Sequence, residues 1–171
     1  MKQKVLVTRE VFADVLDALR ADFDVTANQA DKPYLPEELA QALADKDGAI
    51  TVLTDRIDAA LLARCPQLKA VCNIAVGYNN FDLKAMSARG VLATNTPGVL
   101  DAATADFTWA LILATARRLT EAEAWLRAGE WQGWKLKQFL GMDVQGATLG
   151  IVGMGRIGQA VAKRARGFDM P

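Results

Sequence analysis

Gly153-Met154-Gly155-Arg156-Ile157-Gly158 sits between two different periodicities, and this junction narrows the possible folds more than any other stretch of the sequence. Before it, Thr148-Leu149-Gly150-Ile151-Val152 is a short apolar segment that reads as a strand. After it, Ile157, Ala160, Val161 and Ala165 recur at helical spacing and stop near Gly167. A strand that runs through G-x-G-x-x-G into a helix is the context in which this pattern binds a dinucleotide; elsewhere the same glycines are only a loose turn. Gly153 permits the tight turn, Gly155 lets the backbone approach a pyrophosphate, and Gly158 lets the helix lie close to the strand. The unpaired N–H groups at the helix start then face the phosphates. The residue that selects NAD or NADP lies about 20 positions further along such a unit, past Pro171. Both cofactors therefore stay open.

Upstream, short apolar runs alternate with amphipathic segments. Val5-Leu6-Val7 reads as a strand, Val11, Val15, Leu16 and Leu19 as one helix face, and Phe23-Asp24-Val25-Thr26 as a second strand. Pro36-Glu37-Glu38 opens a helix, with proline in the first turn and acids at the positive end. Gly48 to Leu53 reads as a strand, Ile57 to Ala63 as a short helix, Leu68 to Cys72 as a strand, Phe81 to Ala88 as a helix and Val91 to Ala93 as a strand. Such alternation predicts an α/β chain whose parallel sheet carries helices on both faces.

Asn95-Thr96-Pro97-Gly98 breaks the pattern. Asp101 to Leu119 reads as one long helix, with Asp101 as N-cap and Arg117-Arg118 at its negative end. Phe107, Trp109, Leu111, Ile112 and Leu113 make it apolar nearly all round. It is expected to be buried on several sides, in a core or across a domain or subunit boundary. Residues 130–144 hold Trp131, Trp134, Phe139, Leu140 and Met142 without a period, so the rest of the protein or a second subunit is expected to cover them.

Composition removes other classes. Apolar residues make up 51% and charged ones 23%, as in globular proteins rather than disordered tails. Twenty basic residues balance twenty acidic ones, which argues against nucleic-acid or anionic-membrane binding. No apolar run is long enough to span a bilayer, and the start, Met1 to Glu10, has no signal-peptide core. Cys65 and Cys72 form no disulfide framework, are expected as small buried residues, and suit a reducing cytoplasm. With no histidine and no C-x-x-C pair, no metal site is expected. The lack of histidine also means that any imidazole acid or base lies outside these residues.

Several motifs in order carry a resemblance. They are Asn73-Ile74-Ala75-Val76-Gly77-Tyr78-Asn79-Asn80-Phe81-Asp82, Asn95-Thr96-Pro97-Gly98-Val99-Leu100, Ala103-Thr104-Ala105-Asp106, Phe139-Leu140-Gly141, and Gly150 to Gln159. Together they resemble the D-isomer-specific 2-hydroxyacid dehydrogenases, and within them the glyoxylate/hydroxypyruvate and 2-ketogluconate reductases. The resemblance spans essentially the whole chain and implies two Rossmann-like domains with the active site in the cleft between them. Residues 1–98 would be a flavodoxin-like substrate domain, incomplete here. Residues 99–171 would begin the NAD(P)-binding Rossmann domain, with a long interdomain or dimer helix at 101–119 and an arm at 130–144.

The resemblance also implies roles. Val76 and Gly77 match the loop whose backbone N–H groups hold a substrate carboxylate. Leu53 matches an apolar wall of the substrate pocket, an ordinary core leucine being the alternative. Thr104 matches a residue near the nicotinamide and phosphates, a plain helix-first-turn threonine being the alternative. Gly153, Gly155, Arg156, Ile157 and Gly158 match the pyrophosphate loop, Arg156 through its backbone N–H. Trp134 matches an arm that reaches over a partner's site, interface packing being the alternative. Ala75 stands where many relatives have glycine, and Asn79 where many have aspartate. The family's arginine, glutamate and proton-donating histidine all fall after Pro171, so no catalytic residue is assigned in this chain. Arg56, Arg89, Glu37 and Glu38 are expected as solvated surface charges. The implied activity is reduction of a small 2-oxo acid by NAD(P)H, in a homodimer joined through 101–142. The alternatives are a non-catalytic NAD-binding interaction protein and an inactive remnant. An isolated 1–171 chain, with an unpaired sheet edge, is expected to aggregate or to be marginally stable.

Overall fold

Five strands pair in parallel within Met1–Pro97: β1 (Lys4–Val7), β2 (Asp24–Ala27), β3 (Gly48–Thr51), β4 (Ala70–Asn73) and β5 (Leu92–Thr94), in the order β2-β1-β3-β4-β5. The connections carry α1 (Ala13–Asp22), α2 (Pro36–Leu43), α3 (Ala59–Arg64) and α4 (Leu83–Ala88). This order is that of the flavodoxin-like doubly wound fold, in which the chain crosses from one side of β1 to the other. The computed structural model describes all residues 1–171. They form two compact units, Met1–Pro97 and Gly98–Pro171.

Strand alternation decides what is buried. Leu6, Ala49 and Val71 stand in one row across the sheet and point into a core closed by Leu39, Leu43, Leu61, Leu62 and Met86. Leu6, Leu43 and Leu62 are fully buried, each contributing about 1.5–3 kcal/mol of transfer free energy. The next row, Val7, Ile50, Cys72 and Thr94, points to the other face. There a groove of about 270 Å³ runs between α1 and β4, lined by Val5, Leu19, Phe23, Ile50 and Cys72 among others. Cys72 is therefore exposed, contrary to the expectation of burial, while Cys65 is buried. Periodicity could not tell which sheet face a helix would cover.

Local chemistry sets the helix boundaries. Glu38 accepts the Leu35 N–H at 2.8 Å ahead of Pro36, and Asp58 and Asp82 accept from Leu61 N and Ala85 N to cap α3 and α4. Ile57 and Phe81, expected inside helices, instead form an isolated parallel bridge that draws the loops after β3 and β4 together.

In Gly98–Pro171, α5 (Asp101–Ala116), α6 (Leu119–Arg127) and α7 (Arg156–Ala165) are helical, followed by a 3-10 turn at Arg166–Phe168. The single helix expected over 101–119 ends early. Arg118 takes a left-handed φ of 53°, and Met142 N donates to Ala116 O at 2.8 Å, closing the end of α5 from a distant segment. Asp101 is the first helical residue rather than the cap; Leu100 precedes it. Within the chain only Ala105 and Trp109 of α5 are buried, while Phe107 and Leu111 are exposed. Trp109 stacks on Phe168 at 4.7 Å and donates its indole N–H to Val161 O at 3.0 Å, joining α5 to α7. In 130–144, Trp131 and Phe139 pack edge-on against Trp125, but Trp131 stays exposed, as do Trp134, Leu136, Leu140 and Met142. The strand expected at 148–152 pairs with no other strand; within this segment Leu149 N reaches Pro171 O at 3.2 Å. An isolated segment, however apolar, has no ladder to join.

Candidate functional site

Two features stand out, one in each unit. The first is the loop after β4, residues 74–80. Three successive carbonyls of this loop are tied: Ala75 O by Thr96 N at 2.8 Å, Val76 O by Asn95 Nδ2 at 2.8 Å, and Gly77 O by Asn73 Nδ2 at 2.9 Å. All peptides are trans, so each N–H points opposite to its own carbonyl. The N–H groups of Val76, Gly77 and Tyr78 are thus each directed away from the tied carbonyl of their own peptide, and none donates to another group of the chain. Successive unpaired N–H groups attract an anion.

A buried polar network fixes this loop. Asn73 is almost wholly buried and also accepts from the Thr51 hydroxyl at 3.2 Å. Asn73 and Asn80 exchange side-chain hydrogen bonds, and Asn80 Nδ2 reaches Asp55 O at 2.9 Å and Val52 O at 3.2 Å. Asp55, itself buried, accepts from the Thr8 hydroxyl and from Val52 N. Burial makes such a network rigid when every member is satisfied. It joins the β3 loop, which carries Leu53, to the β4 loop, which carries Val76 and Gly77. Leu53 is exposed, not a core leucine, and a Cβ on Gly77 would lie 3.5 Å from Leu53 Cδ2. Leu53 therefore stands as an apolar neighbour of the amide row. Sequence reasoning assigned no role to Asn73, Asn80, Asn95, Thr8 or Asp55. The available signal was asparagine at the ends of two strands, Asn73 and Asn95, with a third, Asn80, in the loop between them.

The second feature is the glycine loop ahead of α7. The first i to i−4 bond of this helix runs from Gln159 N to Gly155 O at 2.9 Å, so the N–H groups of Arg156, Ile157 and Gly158 have no helical acceptor. Gly153 has a φ of +97°, which favours glycine. A Cβ on Gly155 would meet nothing within 4 Å, leaving open space above the backbone. A Cβ on Gly158 would fall 2.2 Å from Gly153 O, so only glycine lets the helix sit this close. Three unpaired amides, a positive helix end and an open backbone fit a pyrophosphate. Ile157 packs its side chain into the Trp109 cluster. The Arg156 guanidinium leans toward Asp101 at 3.4 Å and stays largely exposed. Thr104 lies in the second turn of α5, half-buried, its carbonyl accepting from the Thr108 hydroxyl at 2.8 Å. Arg56 is exposed beside Asp58, and Glu37 is exposed and paired with Arg64.

A parallel α/β sheet with an amide row at a strand end, followed by a glycine loop opening a helix, defines a dehydrogenase-like chain. The family model described as D-isomer specific 2-hydroxyacid dehydrogenase, catalytic domain, matches residues 5–167, and the chain belongs to this family. It is 47% identical over 174 residues to the glyoxylate reductase of Thermococcus gammatolerans, covering 99% of this chain and 52% of that protein. The chain thus spans about half the length of the curated relatives it matches. Among solved structures, a Thermus thermophilus protein superposes with a TM-score of 0.90 at 46% identity, over 98% of this chain and 54% of that one. The NADPH-dependent glyoxylate/hydroxypyruvate reductase of Sinorhizobium meliloti, solved with NADP and malonate, superposes with a TM-score of 0.81 at 31% identity, over 99% of this chain and 52% of that one.

Proposed function

We propose that this chain is part of an NAD(P)H-dependent reductase that converts a small 2-oxo acid, glyoxylate or hydroxypyruvate, to the D-2-hydroxy acid. The observation that carries the reading is the pair of backbone anion sites in one chain: the amide row at 76–78 and the amides of Arg156, Ile157 and Gly158. In this reading Met1–Pro97 is the substrate domain, and Gly98–Pro171 begins the cofactor domain. Val76 and Gly77 hold the substrate carboxylate through backbone N–H, and Leu53 packs against its small carbon skeleton. Gly153, Gly155, Arg156, Ile157 and Gly158 hold the pyrophosphate, and Thr104 lies near the cofactor. The bound reduced nicotinamide supplies the hydride that reaches the carbonyl carbon. The chain's own amides neutralise and orient the carboxylate, so that the carbonyl is presented in one pose.

The residues present contain no histidine. The arginine, glutamate and histidine of the chemistry are assigned beyond Pro171, and none is assigned within this chain. The relatives' names and the malonate-bound structure support a small carboxylic substrate. No helix is long and apolar enough to cross a membrane. The two free cysteines support a cytoplasmic protein. The exposed Phe107, Leu111, Trp134 and Leu136 support a homodimer through 101–142. Sedimentation of the protein at twice its chain mass, reduced to one chain mass by Phe107→Glu, is the expected result.

The deciding experiment is oxidation of NADH and of NADPH by the protein with glyoxylate and with hydroxypyruvate. Turnover with either pair is expected. Tight dinucleotide binding without oxo-acid binding or turnover would refute the reading in favour of a non-catalytic NAD-binding protein.

A further inference from the structure

We infer that Asn95 is a positioning residue of the amide row, a role that rests on the carboxylate reading above. Its side chain makes one hydrogen bond, from Nδ2 to Val76 O at 2.8 Å. The peptide between Val76 and Gly77 is the joint most able to turn over, because rotating it changes φ at a residue without Cβ, and glycine accepts either sign. A turned peptide would present the Val76 carbonyl where the Gly77 N–H now stands, and repel an anion. Asn95 holds the carbonyl back and so keeps the Gly77 N–H directed outward.

Nothing else in the chain bonds to Val76 O. Thr96 N secures the preceding carbonyl, Ala75 O, and Asn73 the following one, Gly77 O. The two clamps on Ala75 and Val76 come from adjacent residues just beyond β5 (Leu92–Thr94). The orientation of the amide row is therefore set by a segment about twenty residues away in sequence from the loop itself. Asn95 is also the asparagine that can be tested cleanly. Asn73 and Asn80 are each bound to several partners, so changing either would disturb folding as well.

The test uses oxamate, a 2-oxo monocarboxylate analogue, titrated into the protein and its Asn95→Ala and Asn95→Asp variants. Amide ¹H–¹⁵N shifts are followed at Val76 and Gly77, and affinities for NADH or NADPH are measured in parallel. Losing the single hydrogen bond is expected to weaken oxamate about fivefold to tenfold in Asn95→Ala. The Gly77 amide response should shrink, while dinucleotide affinity stays unchanged and Tm falls by only a few degrees. Asn95→Asp should weaken oxamate further, since a carboxylate cannot donate and adds a like charge. Unchanged oxamate affinity in Asn95→Ala would overturn the role. So would parallel loss of oxamate affinity, dinucleotide affinity and Tm, which would mark the asparagine as a general staple. Failure of the unsubstituted protein to bind oxamate would refute the carboxylate reading, and this role with it.

Discussion

Gly155 and Gly158 stand three residues apart in one loop, yet alanine should act on them in different ways. At Gly158 the added methyl would lie 2.2 Å from Gly153 O and 3.2 Å from Gly153 C. The obstacle is backbone, so the helix or the loop must retreat by roughly 1 Å to reach ordinary contact. Overpacking of this kind costs about 1–3 kcal/mol. Alanine inside a helix returns about 1 kcal/mol relative to glycine. An approach of 2.2 Å to a backbone atom puts the clash in the upper half of the overpacking range, so it outweighs the return and Gly158→Ala should lose about 1–2 kcal/mol net, a change of about 5–30-fold in the folded-to-unfolded ratio. At Gly155 the backbone φ is −75°, which any residue adopts, and the methyl meets nothing. Only the preference for glycine over alanine at a helix N-cap is lost, below about 1 kcal/mol. That methyl does occupy the space a pyrophosphate would need, so dinucleotide affinity should fall about tenfold or more.

All four tryptophans, Trp109, Trp125, Trp131 and Trp134, lie in Gly98–Pro171. Urea unfolding followed by tryptophan fluorescence therefore reports on this unit selectively, and NAD(P)H titration reports on the loop. A Gly158→Ala protein as stable as the parent would refute the packing argument. A Gly155→Ala protein that binds dinucleotide like the parent would refute the pyrophosphate assignment.

Other expectations follow from single contacts. Asn80→Ala leaves Val52 O and Asp55 O without their side-chain donor and should cost about 1–3 kcal/mol in urea unfolding; a neutral result would show that water replaces the amide. Trp109→Ala removes the stack on Phe168 and the bond to Val161 O, with an expected loss of about 3–5 kcal/mol; Trp109→Phe should lose far less if packing rather than the indole N–H dominates. Hydrogen bonds from Lys46 and Lys4 hold Asp45 down at about 2, and Lys69 and the Lys4 backbone lower Asp47. Depressed carboxylates stabilise the fold above their unfolded pKa, so this contribution should be lost as pH falls from about 4 toward 2. Because both groups are exposed, the acid sensitivity should shrink in high salt and in Asp45→Asn; acid unfolding identical in all three would refute it.

The order of strands and helices through β5 was legible because period-2 and period-3.6 patterns report local burial. Thus the strands read at Val5 to Val7, Gly48 to Leu53 and Leu68 to Cys72 all overlap observed strands, with ends that differ by up to two residues. The glycine loop was legible too, since its demands on backbone space are local. The resemblance to the dehydrogenases was likewise carried by short contiguous motifs.

Tertiary structure decided what depends on distant partners. Cys72 faces outward because no helix covers its side of β4. The helix begun at Asp101 stops at Ala116 because Met142 N reaches its last carbonyl. Residues 148–152 form no ladder because strand identity belongs to a pair, not to one segment. Likewise, Val76 and Gly77 could be named from sequence, but the direction of their amides could not. That direction is set by Thr96, Asn95 and Asn73 gripping three carbonyls in a row, and a peptide's orientation is fixed only by what holds its far side.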